Sequence, residues 1–496
     1  MKKTSLIFVG IAVFCLVFAD IAITTIDPWH ELGRMLLGAV TPDFRVAYDY
    51  REAFLNTLVF ALCGIALGVV LGSLLAFFFH RAGVRFFCAF LRSIHEIFWA
   101  FIFLPIVGLN PVCGVLAIGI PYAGVFAKVY AEILQESDHR PLQGVPDGSS
   151  LLSRFFFSIL PVIYADIKNY TTYRFECALR SSAILGFIGL PTIGFHLETA
   201  FRESQYSEVS ALLYLFYLLI ASLRYWLKPR LVPLYVMVAF AFLSRDISIR
   251  WENVVRFFTY EILPWPMRRT GYYDGTRTVI WAWEPVWNWA WGILSTEGLK
   301  GVWNTFLLTQ IALVTTGIVT LTTFPGICRH LSVKWLERVV YYTLIVMRTT
   351  PEYILAYVFV HLWGPSMLPA FLAIGLHNGA ILGYLTGNHA NLIALRFDAP
   401  PGKLNRYFFE VLPRVYGQFL AFLFYRWEIM MRESAILGIL GVYTLGFYID
   451  SAISDDKLDK AFLLILVTAI LNMTIDTTSQ IIRKKLRVSS KISLSV

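Results

Sequence analysis

The stretch SRFFFSILPVIYADIKNYTTYRFECALRSSAILGFIGLPTIGFHL, residues 153–197, occurs again at residues 405–449 as NRYFFEVLPRVYGQFLAFLFYRWEIMMRESAILGILGVYTLGFYI. The two copies align without a gap at an offset of 252 residues, and 19 of the 45 positions are identical. The identities include prolines and charged residues at fixed spacing, which a shared apolar composition does not produce. A repeat of this length indicates that the chain contains two versions of one unit.

The repeat extends upstream of this stretch. Matching positions there are Asn56-Thr57 with Asn304-Thr305, Arg92 and Glu96 with Arg348 and Glu352, and Ala117-Ile118-Gly119 with Ala373-Ile374-Gly375. The two copies therefore cover most of the chain.

The composition favours a membrane protein. Of the 496 residues, 57% are hydrophobic and only 15% are charged, and the mean hydropathy is +0.64. A soluble domain carries about 25% charged residues, so the lipid bilayer is the expected solvent. The net charge of +9 is explained by basic cytoplasmic loops rather than by a nucleic-acid partner. The six cysteines form no CxxC pair, so no disulfide framework or metal site is predicted.

Apolar runs of spanning length predict an all-α integral membrane protein with about 12 transmembrane helices. Each copy contains an even number of runs, so the sequence predicts two parallel six-helix repeats with the same orientation. The first run also fits a secretory signal, but its length favours an uncleaved span. The runs are 5–26, 54–79, 86–108, 112–135, 162–195, 208–226, 230–244, 302–325, 338–362, 366–386, 414–447 and 460–482.

Positive charge predicts the orientation of these spans. If the N-terminus is cytoplasmic, nearly every short loop on that side is basic, whereas the short loop 108–111 on the other side is uncharged. Short cytoplasmic loops carry the excess of Lys and Arg in membrane proteins. Both termini are therefore predicted to be cytoplasmic.

The predicted domain organisation follows from the repeat. It consists of a first span with an external linker (1–48), a first unit (49–228), a span with a Trp-rich external segment (229–299), a second unit (300–484) and a basic cytoplasmic tail (485–496). Tryptophan prefers the bilayer interface, so the Trp-rich segment is expected on the outer surface, with a recognition role as the alternative.

One long cytoplasmic segment is predicted in each copy, between its fourth and fifth spans. Each contains a turn of small residues and ends in Leu-Pro, where proline can open the next helix. A cytoplasmic element present twice predicts a docking site for a symmetric soluble partner. Its candidate residues are Pro146, Asp147, Gly148, Leu160 and Pro161 in the first copy and Pro400, Pro401, Gly402, Leu412 and Pro413 in the second.

This segment resembles the EAA loop of ABC importer permeases. Gly148 precedes Pro161 by thirteen residues, as in that loop, and the following YRFE…R…AILGFIG…IG pattern resembles permeases of the phosphonate (PhnE) type. The resemblance covers residues 50–228 and 300–484, which implies that two permease units are fused in one chain. The sequence departs from the family where Leu142 and Gln143 replace the loop glutamate and where Pro400 replaces the glycine of the second copy.

The resemblance implies a type I ABC importer-like fold in the bacterial inner membrane. It also implies a cytoplasmic ATP-binding subunit dimer, which holds ATP and Mg, and a periplasmic or lipid-anchored substrate-binding protein. The substrate class would be phosphonate or a related phosphorus oxyanion. No GxxxxGK[ST] phosphate loop occurs in the chain, so the chain is predicted to be a permease subunit rather than an enzyme, without a cofactor of its own.

Charged and glycine positions inside the predicted spans are candidates for the path or its gate. Charges in the bilayer are costly and face the bundle interior or a wet cavity. One interpretation is structural, with pairs at i,i+4 neutralising each other on a helix face; the other is an arginine-lined path for an anion. The glycines either permit close helix packing or act as hinges. The candidates are Arg92, Glu96, Arg174, Glu176, Arg180, Gly186, Arg348, Glu352, Arg426, Glu428, Arg432 and Gly438.

Two further interpretations remain from the sequence. His95, beside Glu96, has no partner histidine at ligand spacing and is interpreted as a packed polar residue. The alternative function is a 12-span secondary transporter of the major facilitator type, which also has two parallel halves. That alternative does not explain the repeated Leu-Pro loop, and dependence on ATP rather than on an ion gradient distinguishes the two.

Overall fold

The computed structural model of the protein describes residues 2–138, 140–146, 148–243, 249–270 and 277–486. Asp147 and the tail from residue 487 onward, both part of the sequence predictions, lie outside these ranges. The chain divides into two compact units. The first unit comprises residues 35–259, and the second joins residues 2–34 to residues 260–486.

The described residues are predominantly helical. The helices up to residue 256 are α1 (Lys2–Phe18), α2 (Pro28–Val40), α3 (Val46–Asp49), α4 (Arg51–Phe77), α5 (Ala82–Ser93), α6 (Glu96–Val107), α7 (Pro111–Glu136), α8 (Leu151–Arg154), α9 (Leu160–Ile184), α10 (Ile193–Arg202), α11 (Tyr206–Trp226), α12 (Val232–Leu243) and α13 (Trp251–Arg256). Short 3₁₀ helices span Arg140–Gly144 and Leu185–Ile188.

The remaining helices are α14 (Trp283–Ile293), α15 (Leu299–Ile327), α16 (Lys334–Thr349), α17 (Glu352–Trp363), α18 (Met367–Asn391), α19 (Lys403–Arg406), α20 (Leu412–Ile439), α21 (Leu445–Ser454) and α22 (Leu458–Lys485). Strands β1 (Arg268–Thr270) and β2 (Arg277–Val279) pair antiparallel, after a 3₁₀ turn at Trp265–Met267. Within the described ranges, π-helical turns span Phe155–Ile159, Phe257–Glu261, Leu294–Gly298 and Tyr407–Val411.

Six of the described helical segments are long and apolar enough to cross a membrane, and two bent helix pairs bring the number to eight. The bent pairs are α5 with α6, at 91°, and 152–188 with α10, at 55°. The six are α4, α7, α11, α18, α22 and the continuous segment 283–327. The all-α membrane fold is thereby confirmed, whereas the number of twelve spans stays a prediction. Helix α20 has 28 residues but carries Arg426, Glu428, Arg432 and Glu433 within its length.

Glycines allow close helix packing in both units, but they lie on different helices in the two. In the first unit, Gly64, Gly68 and Gly72 of α4 lie so close to α7 that an added Cβ would be 2.5–3.1 Å from its side chains. In the second unit the stripe lies on α18, which packs on α15. Small residues let membrane helices approach in this way. The stripe of α18 is Gly375, Gly379, Gly383 and Gly387.

The repeated Asn-Thr dipeptide fixes the same loop in both units. Asn56 Nδ2 donates to the backbone oxygen of Pro191 at 2.9 Å, and Thr57 Oγ1 accepts from the backbone N–H of Ile193 at 3.0 Å. The second unit has the equivalent bonds, from Asn304 to the Tyr443 oxygen and from the Leu445 N–H to Thr305. The side chain of Thr therefore supplies a partner for an otherwise unpaired N–H at a helix start.

The first helix of the chain is a component of the second unit. Phe8 of α1 packs on Phe424 and Trp427 of α20, with ring centroids 5.1 and 5.5 Å apart. Ser5 Oγ accepts a hydrogen bond of 2.6 Å from the Tyr416 hydroxyl. Helix α12, which follows the first copy, packs on α4 of the first unit.

Candidate functional site

Both predicted cytoplasmic loops contain a glycine with a left-handed backbone. Gly148 has φ +92° and Gly402 has φ +86°, and an added Cβ would meet no atom within 4 Å at either position. Glycine tolerates this conformation at no steric cost. The position aligned with Gly148 is Pro400, so the second copy places its glycine two residues later. The departure from the family pattern is therefore a shift of the glycine rather than its loss.

Most of the predicted loop residues are exposed. Among those described, Leu160, Pro400 and Leu412 are half-buried. The exposed ones are Pro146, Gly148, Pro161, Pro401, Gly402 and Pro413.

The Leu-Pro pairs lie within helical segments rather than at their beginnings. Helix α9 starts at Leu160 by geometry, but α8 and a π-helical turn precede it without a break. The second copy has the same arrangement 252 residues later, with α19, a π-turn and α20. Pro161 and Pro413 lie in the first turn of α9 and of α20, as expected, although the helical path itself begins earlier.

The π-turns before α9 and α20 each expose a pair of phenylalanines. Phe156 and Phe157 are 54% and 83% exposed, and Phe408 and Phe409, at the same repeat positions, are 51% and 68% exposed. Exposed apolar patches mark sites of interaction with a protein or a membrane. The two loops thus present the same apolar feature twice.

The second loop also contains a buried ionic network. Glu410 is 1% exposed and accepts hydrogen bonds from Arg396, through its N–H at 3.1 Å and Nε at 2.8 Å, and from Arg414 Nη1 at 2.9 Å. Burial by itself raises the pKa of the Glu410 carboxyl, but the bonds and charge of Arg396 and the bond from Arg414 outweigh it and lower the pKa. The equivalent residue of the first copy is Ser158, so this network belongs to the second loop.

The pairs Arg92/Glu96 and Arg348/Glu352 do not share a helix. Helix α5 ends at Ser93 and α6 begins at Glu96, with a bend of 91° between them. Helix α16 likewise ends at Thr349, and α17 begins at Glu352 after Pro351, which cannot continue a helix. The prediction that these pairs meet on one helix face is therefore wrong.

The other predicted charges lie along α9 and α20. Arg432 Nη2 is 3.9 Å from Glu428 Oε1, so this i,i+4 pair does meet. Arg180 Nη2 instead contacts Cys177 Sγ at 3.3 Å. Arg174 Nε donates to the Tyr170 hydroxyl at 2.8 Å. Arg426 is 9% exposed, and Glu176 is half-buried. The role of these residues in a path stays a prediction.

The predicted glycines permit close backbone contact. An added Cβ at Gly186 would lie 2.1 Å from the backbone nitrogen of Phe195, and at Gly438 it would lie 2.1 Å from that of Phe447. Real Cβ contacts are never so short, so the close approach expected of these glycines is present in both copies.

Each copy places an imidazole beside its repeated glutamate, from a different position. In the first copy, His95 Nε2 lies 3.5 Å from Glu96 Oε2. In the second copy Pro351 occupies the position of His95, and His377 of α18 lies 3.8 Å from Glu352. Pro121 in turn occupies the position of His377 in α7.

A third helix, α20, contributes a side chain to the group around Glu352 and His377. Glu433 of α20 lies so close that one ligand atom each of Glu352, His377 and Glu433 falls within 4.8 Å of the others. The equivalent of Glu433 in the first copy is Ser181, whose hydroxyl donates to Glu96 Oε1 at 3.4 Å. Sequence reasoning missed His377 and Glu433; the available signal was a glutamate replacing serine in the otherwise identical run around Ser434.

Comparison with known proteins gives several curated relatives. The chain is 31% identical over 117 residues to the putative cryptic phosphonate transport system permease protein PhnE2 of Escherichia coli, covering 95% of that protein. It is 29% identical over 202 residues to the phosphite transport system permease protein PtxC of Stutzerimonas stutzeri, covering 39% of this chain and 74% of the relative.

A further relative matches almost the whole length. The phosphate-import permease protein PhnE of Mycolicibacterium smegmatis is 25% identical over 462 residues, which cover 87% of this chain and 84% of the relative. No protein-family model matches the chain, and no solved structure matches it.

Proposed function

The chain belongs to the phosphonate-type family of ABC importer permeases, and from this premise we propose that it forms the membrane path of an ATP-driven importer for a phosphorus oxyanion. The observation that carries the proposal is the match to an importer permease over 87% of the chain. The chain itself is a permease subunit, and the family couples such subunits to an ATPase. The comparisons do not favour the alternative of a major facilitator-type transporter.

The proposed architecture has twelve spans in two parallel repeats, with both termini in the cytoplasm of a bacterial cell. The repeat supports it, because α6 and α17, α7 and α18, and α10 and α21 begin at equivalent positions of the two copies. A 17-residue α1 and a 12-residue α12 would then be short spans, and the bent pairs would be broken spans.

The proposed partner at the two loops is a dimer of ATP-binding subunits, which holds ATP and Mg. The repeated exposed pairs Phe156-Phe157 and Phe408-Phe409 support this, since a symmetric dimer would meet two equivalent apolar surfaces. A periplasmic or lipid-anchored binding protein would deliver substrate from the other side.

The proposed substrate class is phosphonate, phosphite or phosphate. The relatives are named for these three anions, and arginines on α9 and α20 could attract any of them through guanidinium–oxygen pairing. The names of the relatives differ in substrate, so uptake of all three should be measured.

The test is uptake of labelled phosphite, phosphate and methylphosphonate into proteoliposomes that contain the chain, its ATPase and its binding protein. We expect uptake of at least one anion to require ATP and to persist when a protonophore collapses the proton gradient. Uptake that is independent of ATP and stops when the protonophore is added would contradict the proposal and favour secondary transport.

A second experiment separates the two roles of the arginines. If they line the path, Arg180→Ala with Arg432→Ala abolishes uptake while the complex with the ATPase still assembles. Loss of assembly would assign them a structural role, and unchanged uptake would exclude both roles. Pull-down of the ATPase with the tagged permease measures assembly independently of transport.

A further inference from the structure

We propose that Glu352, His377 and Glu433 in the second unit form a binding site for one divalent transition-metal ion such as Zn²⁺. The three side chains come from three helices, α17, α18 and α20, so a bound ion would tie these helices together. The inference does not depend on the transport function, because metal binding can be measured without transport.

The donor set suits such an ion. One imidazole nitrogen and two carboxylates are common ligands of Zn²⁺, at about 2.0–2.2 Å, so two donors of one ion can lie up to about 4.4 Å apart. The donor atoms of this group lie within 4.8 Å of one another, and His377 Nε2 is 3.8 Å from Glu352 Oε2. A small contraction around the ion completes the geometry.

The hydrogen bond of the histidine orients its ring for metal binding. His377 Nδ1 lies 2.8 Å from the backbone oxygen of Thr350, and a carbonyl oxygen only accepts, so Nδ1 carries the hydrogen. In the neutral imidazole, Nε2 then presents a lone pair toward the Glu352 carboxylate. Either a metal ion or a proton on Nε2 can link these two groups. Metal-bound histidines are held by the same kind of bond to a backbone oxygen.

The first unit shows the opposite arrangement and serves as an internal comparison. His95 Nδ1 accepts a hydrogen bond from the backbone N–H of Ile97 at 3.2 Å, so the hydrogen of the neutral ring is on Nε2. That hydrogen points to Glu96, and the carboxylate also accepts from the hydroxyl of Ser181. A donor therefore faces an acceptor in the first unit, and the group is satisfied without a metal ion.

The surroundings support the assignment. Asn378 is fully buried, and its Nδ2 donates to Glu433 Oε2 at 2.9 Å, which orients that carboxylate. Its Oδ1 has no hydrogen-bond partner among the described residues, and a metal-bound water would supply one. Buried polar atoms are rarely left in this state.

The charge of the donor set suits a divalent ion. Two ionised carboxylates carry a charge of about −2, which one divalent cation balances.

The experiment uses the purified full-length chain in lipid nanodiscs. The protein is stripped with a chelator, loaded with Zn²⁺, desalted and analysed for metal by mass spectrometry. We expect about one Zn²⁺ per chain for the wild type and for the matched control His95→Ala, and loss of the ion in His377→Ala and Glu433→Ser. Ser181 occupies this position in the first copy, so we expect the fold to tolerate Glu433→Ser.

A second measurement covers the case in which a variant fails to fold. Zn²⁺ should raise the melting temperature of the wild type and of His95→Ala, and X-ray absorption should report one imidazole ligand. The proposal is overturned if the wild type retains no Zn²⁺ and its melting temperature does not respond, which would leave a proton as the only cation of the group. It is also overturned if Zn²⁺ persists in both second-unit variants.

Discussion

Glu410 is a buried carboxylate in a loop whose other residues are largely exposed. Two arginines, one from the loop and one from the first turn of α20, hold it in place. Such a network is stable only when all its members are present, because removal of one partner leaves a buried charge unpaired. Glu410 therefore determines how the second loop is attached to α20.

The stability contribution of Glu410 should depend on pH with a defined sign. Its pKa is lowered in the folded protein, so its contribution is fully present above the ordinary glutamate pKa of 4.5 and is lost as the pH falls through the lower folded value. The melting temperature of the wild type should exceed that of Glu410→Gln by a constant amount above pH 4.5. The difference should shrink in more acidic buffer.

The control for this measurement is Ser158→Ala, at the equivalent position of the first copy. We expect this variant to leave the pH dependence unchanged. A difference between wild type and Glu410→Gln that grew toward acidic pH would contradict the assigned direction of the pKa.

Gly438→Ala should destabilise the second unit by about 1–3 kcal/mol or more, the range for steric overpacking. The added methyl group would lie 2.1 Å from the backbone nitrogen of Phe447, and backbone atoms cannot rotate away. Denaturant unfolding in detergent measures the effect. Gly10→Ala in α1 is the matched control, since nothing lies within 4 Å of it, and it should leave stability unchanged or slightly raised.

At the scale of helices, the sequence predicted the repeated elements but not their breaks. The offset of 252 residues places the π-turns and the Leu-Pro pairs correctly relative to each other. Apolar content does not distinguish a straight helix from two helices bent by 91°. The break depends on local bonds, such as the imidazole of His95 that caps α6, and in the second copy on Pro351.

The candidate site was predictable only in part for a related reason. Intramembrane charges can be read from the sequence, and Arg432 and Glu428 do meet as their spacing predicts. The group of Glu352, His377 and Glu433 joins three helices, and no spacing within one segment indicates such a contact. Comparison of the two copies position by position would have identified the exchange of histidine and proline, though not its geometry.

The packing of α1 gives a prediction at this scale. Phe8 contacts Trp427 edge to face, and aromatic pairs contribute about 0.5–1.5 kcal/mol beyond their buried area. A double-mutant cycle of Phe8→Ala and Trp427→Ala, measured by unfolding in detergent, should give a coupling energy in this range. Phe14→Ala with Trp427→Ala should be additive, and coupling near zero in the first cycle would contradict this packing.

At the scale of the whole molecule, the two copies are equivalent in outline and different in detail. Both loops expose a phenylalanine pair, but only the second has a glutamate at the position of Ser158. The glycine stripe also lies on different helices in the two units. Duplication in one chain allows each half to change without altering the other.

The phenylalanine pairs that the two copies share give a prediction for the assembled importer. Phe156→Ser with Phe157→Ser, or Phe408→Ser with Phe409→Ser, should each reduce recovery of the ATPase subunit in a pull-down by at least about tenfold, which corresponds to about 1.4 kcal/mol. Trp287→Ser, an exposed aromatic residue in the segment predicted on the opposite side, should have no effect. Unchanged recovery with both pairs replaced would contradict the proposed docking surface.

The packing of α1 on α20 has a consequence for biosynthesis. The two partners are separated by roughly 400 residues, which a ribosome adds in about 20–80 seconds at about 5–20 residues per second. During that interval Phe8 lacks its partners on α20, and the second unit can close only after α20 has been made. Helix α1 is thus made long before its native contacts on α20 become available.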